Sequence, residues 1–152
     1  MLVDERNGRG RRRTTSDVVA PAVTVLAVND EQQAAVTRQW IHTHDGTQWR
    51  LPGGRMAALD ASLEEAARRE FAEETGWRAQ SWTWLGVVNS ADSRTGHRDH
   101  AFLATGLLTA GESDLELHWI SVARVVDMAL NGLIPHADSA YAVLAAKVRG
   151  LL

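Results

Sequence analysis

Three glutamates, Glu70, Glu73 and Glu74, stand at i, i+3 and i+4 within SLEEAARREFAEETG, residues Ser62 to Gly76. On a helix that spacing gathers three carboxylates on one face. They fall in the last turns, at the negative end of the helix dipole, where each acid is disfavoured by roughly 0.3–1 kcal/mol. Their mutual repulsion adds a similar penalty. A bound cation offsets both, and hard carboxylate oxygens suit Mg²⁺ or Mn²⁺. The bland alternative is a solvated acidic face paired with Arg68 and Arg69. Upstream, Leu51-Pro52-Gly53-Gly54 supplies backbone without side chains, which can approach a phosphate and the helix closely or simply make a tight turn.

The helix that must carry these acids is well punctuated. Ser62 is placed to cap it, Glu65 three residues on completes a capping box, and Gly76 suits a left-handed C-terminal residue. Leu63, Ala66, Ala67 and Phe71 recur at helical spacing as its buried stripe.

Leu-Pro-Gly-Gly, a loop, then Arg69-Glu70-Phe71-Ala72-Glu73-Glu74-Thr75-Gly76-Trp77 resembles the Nudix box, the signature of hydrolases that cleave nucleoside diphosphates linked to another moiety. The family pattern is G-x5-E-x7-R-E-U-x-E-E-x-G-U, with U a bulky apolar residue, and its second half is matched at every specified position. The first half departs. Counting forward from Gly54, the glutamate position falls on Asp60; counting back from Arg69, it falls on Ala61. One residue is inserted, and Asp60 is the nearest surrogate for a glutamate that in the family supports the loop and assists metal binding.

The resemblance implies an α/β/α sandwich with a mixed β-sheet between helices, and Mg²⁺ or Mn²⁺ as cofactor. It places the metal on Glu70, Glu73 and Glu74, with Arg69 orienting the first helix glutamate. The metal would neutralise phosphoryl oxygens, stabilise the leaving group and lower the pKa of water. The general base is left open: Glu73 on the helix, or Glu112 and Asp114 in the loop Gly111 to Glu116, which matches the acidic loop of the ADP-ribose pyrophosphatase branch. Those loop acids read equally well as solvated.

For the substrate, VTRQWIH at residues 36–42 is similar to a strand of the ADP-ribose and nucleotide-sugar branch, making Arg38 and Trp40 substrate-binding candidates beside Gly53 and Gly54. The stretch from Glu116 to Ala137 is similar to that branch's ending. The Trp49-Arg50-Leu51-Pro52-Gly53-Gly54 form is instead widespread among nucleoside-triphosphate-cleaving members. Trp40 or Trp49 could stack on a base at roughly 1–3 kcal/mol, although core packing explains most tryptophans. His97-Arg98-Asp99-His100 reads as a loop meeting phosphate or ribose, or as a solvated turn. Three functions therefore stand: hydrolysis of ADP-ribose or another nucleotide sugar, nucleoside triphosphate pyrophosphohydrolysis, and nucleotide binding without catalysis. A homodimer is a further expectation, although the N-terminal strands through which that branch dimerises are lacking.

The rest of the chain bounds these readings. Its 152 residues, 45% apolar and 23% charged, predict one domain over residues 18–152. Residues 1–17, with Arg6, Arg9, Arg11, Arg12 and Arg13, read as a frayed tail, no aromatic residue interleaving the arginines for nucleic acid. A net charge of −3 gives no pull toward nucleic acid or anionic membrane, so the expected partner is a small nucleotide. Cysteine is absent, which excludes disulfides and thiolate chemistry. No apolar run reaches membrane-spanning length, and a cytoplasmic location is expected.

Strands are predicted at 18–28, 34–41, 49–51, 81–88, 100–108 and 115–122, the first two forming a hairpin. Ser121 should cap a helix ending near Asn131-Gly132, and Asp138 a second reaching Val148. Strands, a helix, strands, then helices predict a mixed sheet between helical layers.

Overall fold

The computed structural model describes residues 19–89 and 96–152. Two sheets form its middle layer. The first has the order β4-β1-β6-β5, from β1 (Ala22–Ala27), β4 (Gly53–Arg55), β5 (Trp77–Val88) and β6 (Asp99–Thr109). It is mixed: β1 runs parallel to β6 and antiparallel to β4, with Val23 opposite Gly54 and Ala22 opposite Asp99. The second sheet is antiparallel, with β2 (Gln33–Ile41) between β3 (Gly46–Arg50) and β7 (Glu116–Ser121).

Alternation along the central strands divides the core into two layers. Val23, Val25 and Ala27 of β1, with Phe102 and Ala104 of β6, pack on Ala66, Ala67 and Phe71 of helix α1 (Leu63–Thr75). Leu26, Ala101 and Leu103 face the other way. They pack on Val125 and Met128 of α2 (Val122–Leu130) and on Ala142, Val143 and Ala146 of α3 (Ala137–Val148). The mixed sheet thus lies between helical layers, as the sequence predicts.

The caps of α1 follow the sequence closely. Ser62 Oγ accepts from the Glu65 N–H at 3.1 Å, and Gly76 sits at φ 72°. The Glu65 carboxylate reaches one residue further back than a capping box requires, accepting from the Ala61 N–H at 2.8 Å. Strand β5 starts directly after this cap, four residues earlier than predicted, because the chain leaves Gly76 already extended.

Two expectations are corrected. The hairpin of the first two strands does not form: β1 has β4 and β6 as neighbours and meets the β2 segment only through the bridge Val28–Ala34. Every residue of β1 is buried. Between the strands, Gln32 takes φ 58° and Asn29 Oδ1 accepts from the Gln33 N–H, turning the chain into the other sheet. Asp138 is not the cap of α3. His136 holds that position, and Asp138 lies in the first turn with its side chain buried. The arginine-rich 1–17 segment and the first residue of the strand expected at 18–28 lie outside the described residues.

Candidate active site

Strand β4 is only three residues long, and it is the hub of the site. The Glu74 carboxylate accepts from the Gly53 N–H at 2.9 Å. A Cβ on Gly54 would overlap the Glu70 carboxylate, so only glycine lets that acid sit against the strand. Arg69 spans the carboxylates from the side. Its guanidinium donates to Glu70 at 3.0 Å, to Glu73 at 3.1 Å and, through Nε and Nη2, to both oxygens of Asp60.

Asp60 is buried and also accepts from the Ala57 N–H at 2.7 Å. The inserted residue thus brings a shorter acid to a position from which it braces both the loop and Arg69. The Arg69 bonds hold Asp60 below the usual carboxylate range, and Asp60 in turn holds Arg69 charged. The helix acids shift the other way. Burial pushes Glu74 up to about 7, aided by the charges of Glu70, Glu73 and Asp114 and opposed by the Gly53 N–H. Burial also raises Glu70, with Arg69 opposing. Desolvated acids lacking an equal positive charge, all oxygen donors on one face, fit a hard divalent cation.

The acidic loop is fastened to the end of the same helix. Ser113 Oγ donates to the Glu74 carbonyl at 2.8 Å, and the Ala110 and Gly111 N–H groups donate to Gly76 O at 2.7 and 2.9 Å. Asp114 is thereby brought within electrostatic reach of Glu74. Glu112 lies exposed in the same loop.

On its other side, β4 borders a cleft of about 300 Å³ lined by Gly53, Gly54, Gln39, Arg50, Asp99 and Asp138, among others. Arg38 and Trp40 are not among its lining residues. The pairs Thr37–Arg50 and Gln39–Gln48 share one face of the β2–β3 ribbon, toward the cleft. Arg38 and Trp40 take the opposite face, where the Arg38 guanidinium stacks 5.6 Å from the Trp49 ring and Trp40 is 62% exposed. Trp49 in turn packs against the core and edge-on to His118. The His97 to His100 stretch is not a solvated turn at Asp99, which opens β6 with 4% exposure.

Sequence reasoning missed Gln39, Arg50 and Asp138 as cleft residues. Gln39 was signalled only by alternation next to Arg38. Asp138 resembled a helix cap, and its burial comes from α3 folding back on β1 and β6.

A carboxylate-bearing helix held against a glycine strand, with two sheets between it and a second helical layer, is the architecture of a Nudix domain. A model of the NUDIX domain matches residues 18–142, and the chain belongs to this family. It is 28% identical over 131 residues to an ADP-ribose pyrophosphatase of Mycobacterium tuberculosis, covering 82% of this chain and 63% of that protein. It is 33% identical over 107 residues to a putative 8-oxo-dGTP diphosphatase of Bacillus subtilis, covering 66% of each. The chain therefore spans less than two thirds of either relative's length. Among solved structures, an ADP compounds hydrolase superposes with TM-score 0.75 at 21% identity, over 87% of this chain and 75% of that one. A MutT described for Aliivibrio salmonicida and Vibrio cholerae gives TM-score 0.57 at 24% identity, over 70% and 82%. These two likenesses concern the fold. Among the described residues, no helix is long and apolar enough to cross a membrane.

Proposed function

We propose that the chain hydrolyses the diphosphate bond of a nucleoside diphosphate derivative, ADP-ribose or another nucleotide sugar, using Mg²⁺ or Mn²⁺. The observation that carries this reading is the oxygen-only face of Glu70, Glu73 and Glu74 packed against Gly53-Gly54, with Glu74 desolvated enough to stand near 7. When bound, the cation supplies neutralisation of the phosphoryl oxygens and stabilisation of the leaving group. The protein's own part is positional. The Gly53 N–H and Arg69 fix the carboxylates, and Asp60 fixes Arg69. Gln39 and Arg50 line the cleft where the nucleotide binds. Asp114, tethered through Ser113 beside Glu74, is a better-placed general base than Glu112, while Glu73 is already paired with Arg69.

A diphosphate-linked substrate is favoured because the likeness to the ADP-ribose pyrophosphatase extends over more of the chain than that to the 8-oxo-dGTP diphosphatase. The triphosphate reading retains the support of the latter's higher identity and of Leu51-Pro52-Gly53-Gly54. A product assay separates them: a nucleoside monophosphate with a sugar phosphate for the first, a monophosphate with pyrophosphate for the second. No turnover of either class with Mg²⁺ or Mn²⁺, despite tight nucleotide binding, would replace both with a binding module.

A further inference from the structure

Across β4 from the helix carboxylates lies a second group of metal-competent side chains. His97 precedes β6, Asp99 opens it, and Asp138 sits in the first turn of α3. One ligand atom from each lies within 4.8 Å of the other two, and an ion at about 2.0–2.2 Å from its donors would draw them to within about 4.4 Å. Asp99 and Asp138 are 4% and 3% exposed. The Asp99 carboxyl bonds Thr24 and Asp138, yet its Oδ1 is enclosed and has no hydrogen-bond partner, an arrangement that costs about 1–3 kcal/mol. Arg50 and His136 are the cationic groups near Asp138. Arg50 Nε and Nη2 donate to Gln48 Oε1 at 3.3 and 3.2 Å, and His136 Nε2 stands 3.4 Å from Asp138 Oδ2. Two buried acids facing each other, an orphan oxygen and an imidazole at the rim call for a compact positive charge.

We infer that His97, Asp99 and Asp138 form a second divalent cation site, distinct from the carboxylate face of α1 and selective for a cation that accepts imidazole, Mn²⁺ or Zn²⁺, over Mg²⁺. The donor set sets the selectivity: one nitrogen with two carboxylates suits borderline ions, whereas three carboxylates suit hard ones. The site opens on the cleft that Gly53 and Gly54 share, so its ion faces whatever binds there from the side opposite Glu70 and Glu74. The inference is independent of the proposed reaction.

The test needs metal alone, without nucleotide. In the full chain carrying Glu70→Gln, Glu73→Gln and Glu74→Gln together, one equivalent of Mn²⁺ should still bind, and its electron spin-echo spectrum should show histidine nitrogen modulation. Adding His97→Gln, a half-buried position outside the core, should remove that modulation and weaken Mn²⁺ at least about tenfold. Asp99→Asn should abolish uptake in the same background while raising the melting temperature of the metal-free protein, because it removes a buried acid–acid contact. Loss of all Mn²⁺ binding in the folded triple variant would overturn the site. So would bound Mn²⁺ lacking nitrogen modulation, or modulation that survives His97→Gln. Failure of the proposed hydrolysis would leave each of these readings unchanged.

Discussion

The two faces of β4 solve the same electrostatic problem in opposite ways. On the α1 side, acids crowd together, but Arg69 threads among them and Glu73 is 54% exposed, so water and a guanidinium share the charge. On the α3 side, Asp99 and Asp138 are nearly enclosed and bonded to each other, with His136 3.4 Å from Asp138. The difference lies in how each acid reaches its place. Glu70, Glu73 and Glu74 share one helix and can carry an arginine with them in sequence. Asp99 and Asp138 come from elements 39 positions apart, and the local cation nearest Asp138 is the imidazole of His136.

The sharpest blow to the α1 side is loss of a ligand. Glu73→Gln or Glu74→Gln should each lower kcat by roughly 10²–10³-fold in a steady-state assay, the scale of losing one strong electrostatic stabiliser. Full activity in both would end the metal-face assignment. Next is Gly54→Ala, whose methyl group displaces only the flexible end of Glu70. It should weaken Mg²⁺ by about 10–100-fold while the fold survives. Unchanged Mg²⁺ affinity by calorimetry would show that Glu70 need not touch the strand.

Asp60 sharpens the comparison further. Restoring the family's residue by Asp60→Glu should destabilise the protein by about 1 kcal/mol, since Asp60 already fills a buried site bonded to Ala57 and Arg69. A rise in melting temperature would mean the aspartate is a defect. The pH dependence comes next. Glu74 and Asp99 both have raised folded pKa values, so the native state holds protons that the unfolded chain releases. The metal-free protein should therefore lose stability as pH rises from about 4 to about 7, then level off. The paired Asp60 works in the reverse sense, favouring the fold above pH ~4 and ceasing to do so in stronger acid. Melting curves at pH 5 and 8 should differ by a few degrees, and Mn²⁺ should narrow the gap. The smallest effect concerns β2. Trp40→Ala should alter KM less than about twofold, and Gln39→Ala more, since only Gln39 faces the cleft. The opposite ranking would move the nucleotide to the outer face.

What the sequence made legible follows the same division. The α1 caps, the buried stripe and the carboxylate face are local in sequence, and helical periodicity reads them directly. Asp60 was found by counting along one loop. Asp138 was read as a cap because Asp favours that role, and only the packing of α3 against β1 and β6 buries it. Arg38 and Trp40 show the period-two hazard: one residue's shift along a strand exchanges the cleft for the outer face. The partition of β1 and β2 into different sheets is accompanied by a positive φ at Gln32, which carries no sequence signal of its own.

The Ser113 tether has a mechanical consequence. Because Ala110, Gly111 and Ser113 are all bonded to the end of α1, the acidic loop is spliced to the helix that carries the carboxylates. Its amides should exchange hydrogen with solvent in step with the last turn of α1, not at the faster rate of a free loop. Any fluctuation that frays that turn carries Asp114 away together with Glu74. The two acids should then come and go as one moving part.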